Sequence, residues 1–254
     1  MSFAVALGLA LASAAQDQAP LCTDRPAKGN SVCTVPVGAW QLESTAVGWS
    51  RLESAGSETE TLMIGSSLVK YGLGDRSDLQ LGITPYARAL SEGSAVAGFG
   101  DITVRFKHRF TGAAAPVQVA MIPFVKLPTA KRGIGNREVE GGLAIPISFA
   151  LAGPVTATLG PELDVLADSV GGGRHLAIVN LLNLSRQVAS RLTLVGELWT
   201  SLNLDPAGTV TQASADAALA YSVTSNAQLD FGANLGLTRE TADVEVYVGI
   251  SLRD

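Results

Sequence analysis

From Trp40 onward, apolar and polar residues alternate with a period of two, in one segment after another. The clearest case is Phe99–Phe110. Asp101, Thr103, Arg105, Lys107 and Arg109 fall on one face, and Ile102, Val104, Phe106 and Phe110 on the other. A helix would scatter those charges around its circumference, whereas a strand sorts them. Leu79, Leu81 and Ile83 alternate with Gln80, Gly82 and Thr84 in the same way, as do Val244–Leu252 near the end of the chain. The pattern predicts strands near 39–49, 59–71, 77–87, 99–110, 116–128 and 137–151, and then near 154–167, 174–187, 191–203, 212–223, 227–238 and 243–252. Most of these are long enough for a tilted strand to cross a bilayer, which takes about 9–11 residues.

The connections sharpen the picture. Gly72–Arg76, Thr111–Ala115, Ala152-Gly153, Val188–Ser190 and Thr224–Asn226 are short and turn-like. Between them lie Ser50–Glu58, Arg88–Gly98, Thr129–Asn136, Asp168–Gly173, Leu204–Thr211 and Arg239–Ala242, mostly longer. Alternating short turns and long loops are expected of an outer-membrane barrel, with both termini in the periplasm. The predicted fold is therefore all-β: a transmembrane antiparallel up-and-down β-barrel of about twelve strands over residues 39–254. A soluble barrel would need apolar residues inside and polar ones outside, yet here charges share one face of strands too numerous for a dry interior.

Composition agrees. Apolar residues make up 47% of the chain and charged ones only 16%, against about 25% charged in typical soluble domains. No run of about 18 apolar residues offers a spanning helix. The apolarity is spread in short pieces, as a barrel requires, because closing the sheet satisfies every backbone group without water. A net charge of −5 with no Lys/Arg cluster argues against nucleic acid as a partner.

Phe3–Leu11 is a short apolar core running into Ala12-Ser13-Ala14-Ala15-Gln16, a small-residue cleavage pattern. Residues 1–15 are read as a signal peptide and 16–38 as a periplasmic segment leading into the barrel. Cys22 and Cys33 lie in that Pro/Gly/Asn-rich segment, with no His nearby to suggest a zinc site. They could close a small structural disulfide loop or remain a pair of free thiols.

Several motifs resemble the outer-membrane family named for the MetA pathway of phenol degradation. They are Thr23-Asp24-Arg25-Pro26, Cys33-Thr34-Val35-Pro36, Lys70-Tyr71-Gly72-Leu73, Gly98-Phe99-Gly100-Asp101, Pro123–Ala130 and Glu140-Gly141-Gly142. They run from near the N-terminus to about residue 165; the last third matches in pattern more than in motif. The resemblance implies an outer-membrane barrel and, loosely, passage of small organic molecules. It brings no agreed catalytic or binding residues.

If the apolar faces meet lipid, the polar faces line a lumen. Basic residues (Lys70, Arg88, Arg105, Lys107, Arg109, Lys126) gather on strands two to five. Acidic ones (Glu138, Glu140, Glu162, Asp164, Glu197, Asp216, Asp230, Glu245) follow on the other arc. Such walls could orient a polar solute in transit, or ion pairs could hold the lumen shut. The lumen and selectivity candidates are Arg105, Lys107, Arg109, Lys126, Glu138, Glu140, Glu162 and Asp164. The expected function is a channel for small organic molecules, aromatic ones among them. The alternatives are a closed structural or adhesive barrel and an outer-membrane lipid hydrolase.

No catalytic set emerges from the sequence. His108 takes the lipid-facing phase, and the in-strand Asn183 and Ser185 stand too far from His175 to form one site with it. A neighbouring strand could still bring Ser201 or Ser214. Neither a cofactor nor a metal is expected. The expected partners are outer-membrane lipid, a small-molecule solute and, during biogenesis, the barrel-assembly machinery.

Overall fold

In the computed structural model, which describes residues 21–254, the chain is built from sixteen β-segments. The signal-peptide region lies outside the described residues. The segments are β1 (Trp40–Ser54), β2 (Ser57–Gly74), β3 (Ser77–Ile83), β4 (Tyr86–Ser91), β5 (Ser94–Gly98), β6 (Ile102–Arg109), β7 (Val117–Leu127) and β8 (Glu140–Ala144). They continue as β9 (Ile147–Ala150), β10 (Val155–Leu159), β11 (Glu162–Ala167), β12 (Arg174–Ala189), β13 (Leu192–Asn203), β14 (Val210–Thr224), β15 (Ala227–Gly236) and β16 (Val244–Arg253).

Twelve of these form a closed antiparallel ring in the order β1-β16-β15-β14-β13-β12-β10-β9-β7-β6-β3-β2, sealed where β1 pairs with β2 as well as β16. The other four segments carry the ring's pairing onward. β2 takes β3 along Ser67–Gly74 and β4 along Thr59–Ile64. β7 takes both β8 and β9, and β12 takes both β10 and β11. Three of the breaks fall at Pro85, Pro146 and Pro161, where the ladder lacks a donor. Neighbouring groups bridge the gaps: Ile145 N–H donates to Pro161 O (2.9 Å) and Gly160 N–H to Leu181 O (2.9 Å). Closure leaves the twelve-membered ring without a free edge, while β5, outside the ring, pairs with β4 alone among the described strands.

The faces are inverted relative to a water-soluble protein. Leu79, Leu81, Leu159, Leu182, Leu198, Phe231 and Leu235 point outward and are exposed, while Gln41, Glu43, Lys70, Asp78, Lys107 and Asp230 are buried inside. Burying that many charges behind an exposed apolar surface is sustainable only where lipid covers the outside. The protein is a transmembrane β-barrel.

Two predicted loops are not loops. Within Ser50–Glu58 and Arg88–Gly98 the strands continue and turn tightly at Ala55-Gly56 (φ 52° and 81°) and Glu92-Gly93 (φ 50° and 75°). Positive φ at both central residues makes these the tight hairpin turns that match strand twist. The long connections at this end of the barrel are instead residues 128–139, 168–173, 204–209 and 237–243. We call it the long-loop end and the other the short-turn end.

Candidate functional site

The lumen is occupied. Residues 21–39, which overlap the 16–38 segment expected to be periplasmic, fold up into the barrel from the short-turn end and dock against its inner wall. Cys22 and Cys33 are joined by a disulfide with Cα atoms 5.7 Å apart, so the segment enters as a closed loop. At its base, Gly38 N–H donates to Gly72 O (2.9 Å) and Val35 N–H to the buried Asp78 carboxylate (2.9 Å). Gly72 is required there, since a Cβ would collide with the Pro36 carbonyl.

Above the base, the segment's charges meet complementary walls. Asp24 is clamped by two lysines that are 0% exposed: Lys70 Nζ lies 2.7 Å from one carboxylate oxygen and Lys107 Nζ 2.9 Å from the other. Lys70 also pairs with Glu43 at 2.5 Å, and Lys107 donates to Ser31 O at 2.9 Å. Burial pushes the Asp24 carboxyl up, but the Lys107 and Lys70 charges outweigh it and hold the group well below the usual carboxylate range.

On the opposite arc the signs reverse. Arg25 makes a two-pronged contact with Asp230 (2.6 and 3.0 Å) and donates to Thr45 (2.5 Å). Its guanidinium also lies over the Tyr247 ring, 5.5 Å from the centroid. Gly249 makes room, because a Cβ there would strike that guanidinium. Tyr247 therefore faces inward and donates its hydroxyl to Pro26 O. At the apex, Lys28 reaches Asp216 (3.0 Å) and Ser214 (2.6 Å), with its ammonium over Trp199 at 5.1 Å. Glu197 accepts the backbone N–H groups of Lys28 (3.0 Å) and Gly29 (3.1 Å).

The predicted lumen residues do not converge on one site. Lys107 is locked to the segment. Arg105 donates to Asn30 and lines a cavity with Glu162. Arg109 sits at the short-turn end, donating to Asp75 O (3.3 Å). Lys126, Glu140 and Asp101 form a separate cluster toward the long-loop end, with Lys126 2.8 Å from Glu140 and 3.4 Å from Asp101. Glu138 pairs with Arg174 at 3.2 Å, both substantially exposed. Asp164 follows Glu162 on the inner phase of β11.

The residues the sequence reading missed are Asp24, Arg25 and Lys28. The first two stood in a motif that carried the family resemblance, and their charges in a Pro/Gly-rich stretch between two cysteines were the available signal.

His175 hydrogen-bonds Asp168 at 2.8 Å, but its Nε2 has no partner among the described residues, so no serine is engaged. His108 lies on the outer face between Phe106 and Phe110, hydrogen-bonded to Ser77 at 2.8 Å.

A family model described as "Putative MetA-pathway of phenol degradation" matches residues 23–253. The chain belongs to this family. The match starts at Thr23, so it takes in the docked segment as well as the barrel. No curated protein matches the chain. Among solved structures, this family member is similar to the COG4313 outer membrane channel from Pseudomonas putida F1, at 13% identity. That match has a TM-score of 0.72 and covers 90% of this chain and 100% of the other. It is also similar to the NanC porin (9% identity, TM-score 0.56, covering 84% of this chain and 98% of the other). The translocator domain of the autotransporter NalP from Neisseria meningitidis matches at 14% identity and a TM-score of 0.55, covering 88% and 91%. At these identities the likeness is one of fold.

Proposed function

We propose that the protein is an outer-membrane channel for small organic molecules, narrowed by its own N-terminal segment. One observation carries the reading: with the segment docked, cavities of about 290 and 240 Å³ still remain beside it inside the barrel. A barrel built only as a scaffold has no need of such space, since its lumen closes best when filled at native density. The similar Pseudomonas putida F1 protein is described as an outer membrane channel, which supports the same reading. Membership of a family named for phenol degradation favours organic over inorganic cargo.

The test is single-channel recording of the refolded protein in a planar bilayer, alongside swelling of liposomes that contain it. Small, steady conductance and entry of small organic solutes are expected. A folded barrel with neither would leave the structural or adhesive reading in place.

A further inference from the structure

The cavities around the segment form a series. At mid-height, a cavity of about 240 Å³ is lined by Lys28, Asn30, Arg105, Phe124 and Glu162. A narrow one of about 70 Å³ shares Lys28, Asn30, Ala144 and Glu162 with it. Below, toward the short-turn end, lies the cavity of about 290 Å³, which shares Gly29 and Asn30 with the narrow one. Its wall side carries Ser148, Thr156, Thr158, Asn183, Ser185 and Thr193 beside Val195, Ala220 and Gln228. Among the described residues, the ionisable groups lining it are Asp24 and Arg25, both already paired. Thr158 bonds Ser148 (3.1 Å), whereas the hydroxyls of Thr156, Ser185 and Thr193 make no hydrogen bond to another described residue.

Resting on the channel reading, we propose that solute passes beside the docked segment along this hydroxyl-lined wall, and that the site selects uncharged, hydrogen-bonding molecules. The Lys28–Asn30 apex, with Glu162, is the filter at its narrow point, and Arg105 stands beside Glu162 in the cavity that leads to it. The chemistry is asymmetric. An ion of either sign meets both signs of charge at the filter and then enters a chamber with no unpaired charge to replace its hydration. A neutral solute exchanges water for hydroxyl and amide partners at little cost.

The test uses the full chain in liposomes, with glycerol, sodium lactate and ethanolamine hydrochloride as probes of similar size. Glycerol should enter several-fold faster than either ion. Thr158→Trp and Ser185→Trp fill the lower chamber without touching the segment's ion pairs, and should slow glycerol several-fold. Should those variants fail to assemble, Ser185→Cys, modified with a bulky methanethiosulfonate after reconstitution, places the obstruction in a barrel already folded. Glycerol entry unchanged by that obstruction, or lactate entering as fast as glycerol, overturns the proposal while leaving a channel. If no probe enters wild-type liposomes, the channel reading falls with it.

Discussion

Two arcs of the same lumen follow the same alternation and serve opposite ends. Along β2, β3 and β6 the inward-facing Lys70, Asp78, Gln80 and Lys107 are all 0% exposed and sealed beneath the docked segment, while Arg105 borders a cavity at the end of this arc. Along β9, β10 and β12 they are Ser148, Thr156, Thr158, Asn183 and Ser185, which border open space. From sequence, the charged arc is the place where a solute would be steered. In the structure, charge marks where the protein's own segment docks, and neutral hydroxyls mark where room is left. The reason is energetic. A buried charge demands a fixed partner, so a charged wall recruits one from the chain itself, whereas a hydroxyl can be satisfied by a passing solute or water.

The strongest challenge to this division compares two basic residues one inward step apart on β6. Lys107→Ala removes one of the two clamps on a nearly buried carboxylate, and should cost about 3–5 kcal/mol of stability, read as a lower unfolding midpoint in denaturant. Arg105 faces a cavity and binds only a side-chain amide. Arg105→Gln should leave the midpoint nearly unchanged and shift the reversal potential toward cations. Equal stability losses in both variants would erase the distinction between sealed and open walls.

The disulfide should matter less. Replacing Cys22 and Cys33 with Ser opens the loop and should destabilise the docked segment by about 2–4 kcal/mol, without unfolding the barrel that surrounds it. Heat-modified mobility on gels should persist, while noisier single-channel currents report a loosened segment.

Acid should have the smallest effect. Because the folded pKa of Asp24 is depressed, its contribution is fully present above the unfolded value of about 3.9 and is lost only as pH falls through the lower folded value. The stability that Asp24 lends to the docked segment should therefore persist from neutral pH down to about pH 4 and fall only in stronger acid, read as the loss of the difference in unfolding midpoint between the wild type and Asp24→Ala.

How much of this was legible in the sequence follows from what is local. The lipid-facing rows were readable because one face of every strand meets hydrocarbon and the other does not, as at Leu79/Leu81 against Gln80. The ends of β1 and β2 were misread as a loop because Glu53-Ser54 and Ser57-Glu58 are polar on both phases, which erases the period of two. Pro146 and Pro161 lay inside predicted strands; each removes one ladder donor and splits the strand without ending it. The docked segment was illegible for a different reason. It has no period, and its partners are remote: Arg25 meets Asp230, 205 positions away. The basic and acidic arcs were visible as composition, but nothing local indicated that residues 24–28 carry the charges that complete them.

The central claim is that these arcs exist to hold the segment in the lumen, and single-channel conductance of Asp24→Ala tests it most directly. Losing this carboxylate leaves Lys70 and Lys107 buried without their shared partner. The account predicts a several-fold rise in conductance, with a preference for anions as the two lysines come to face the pore. Unchanged conductance and selectivity in a fully assembled barrel would contradict it.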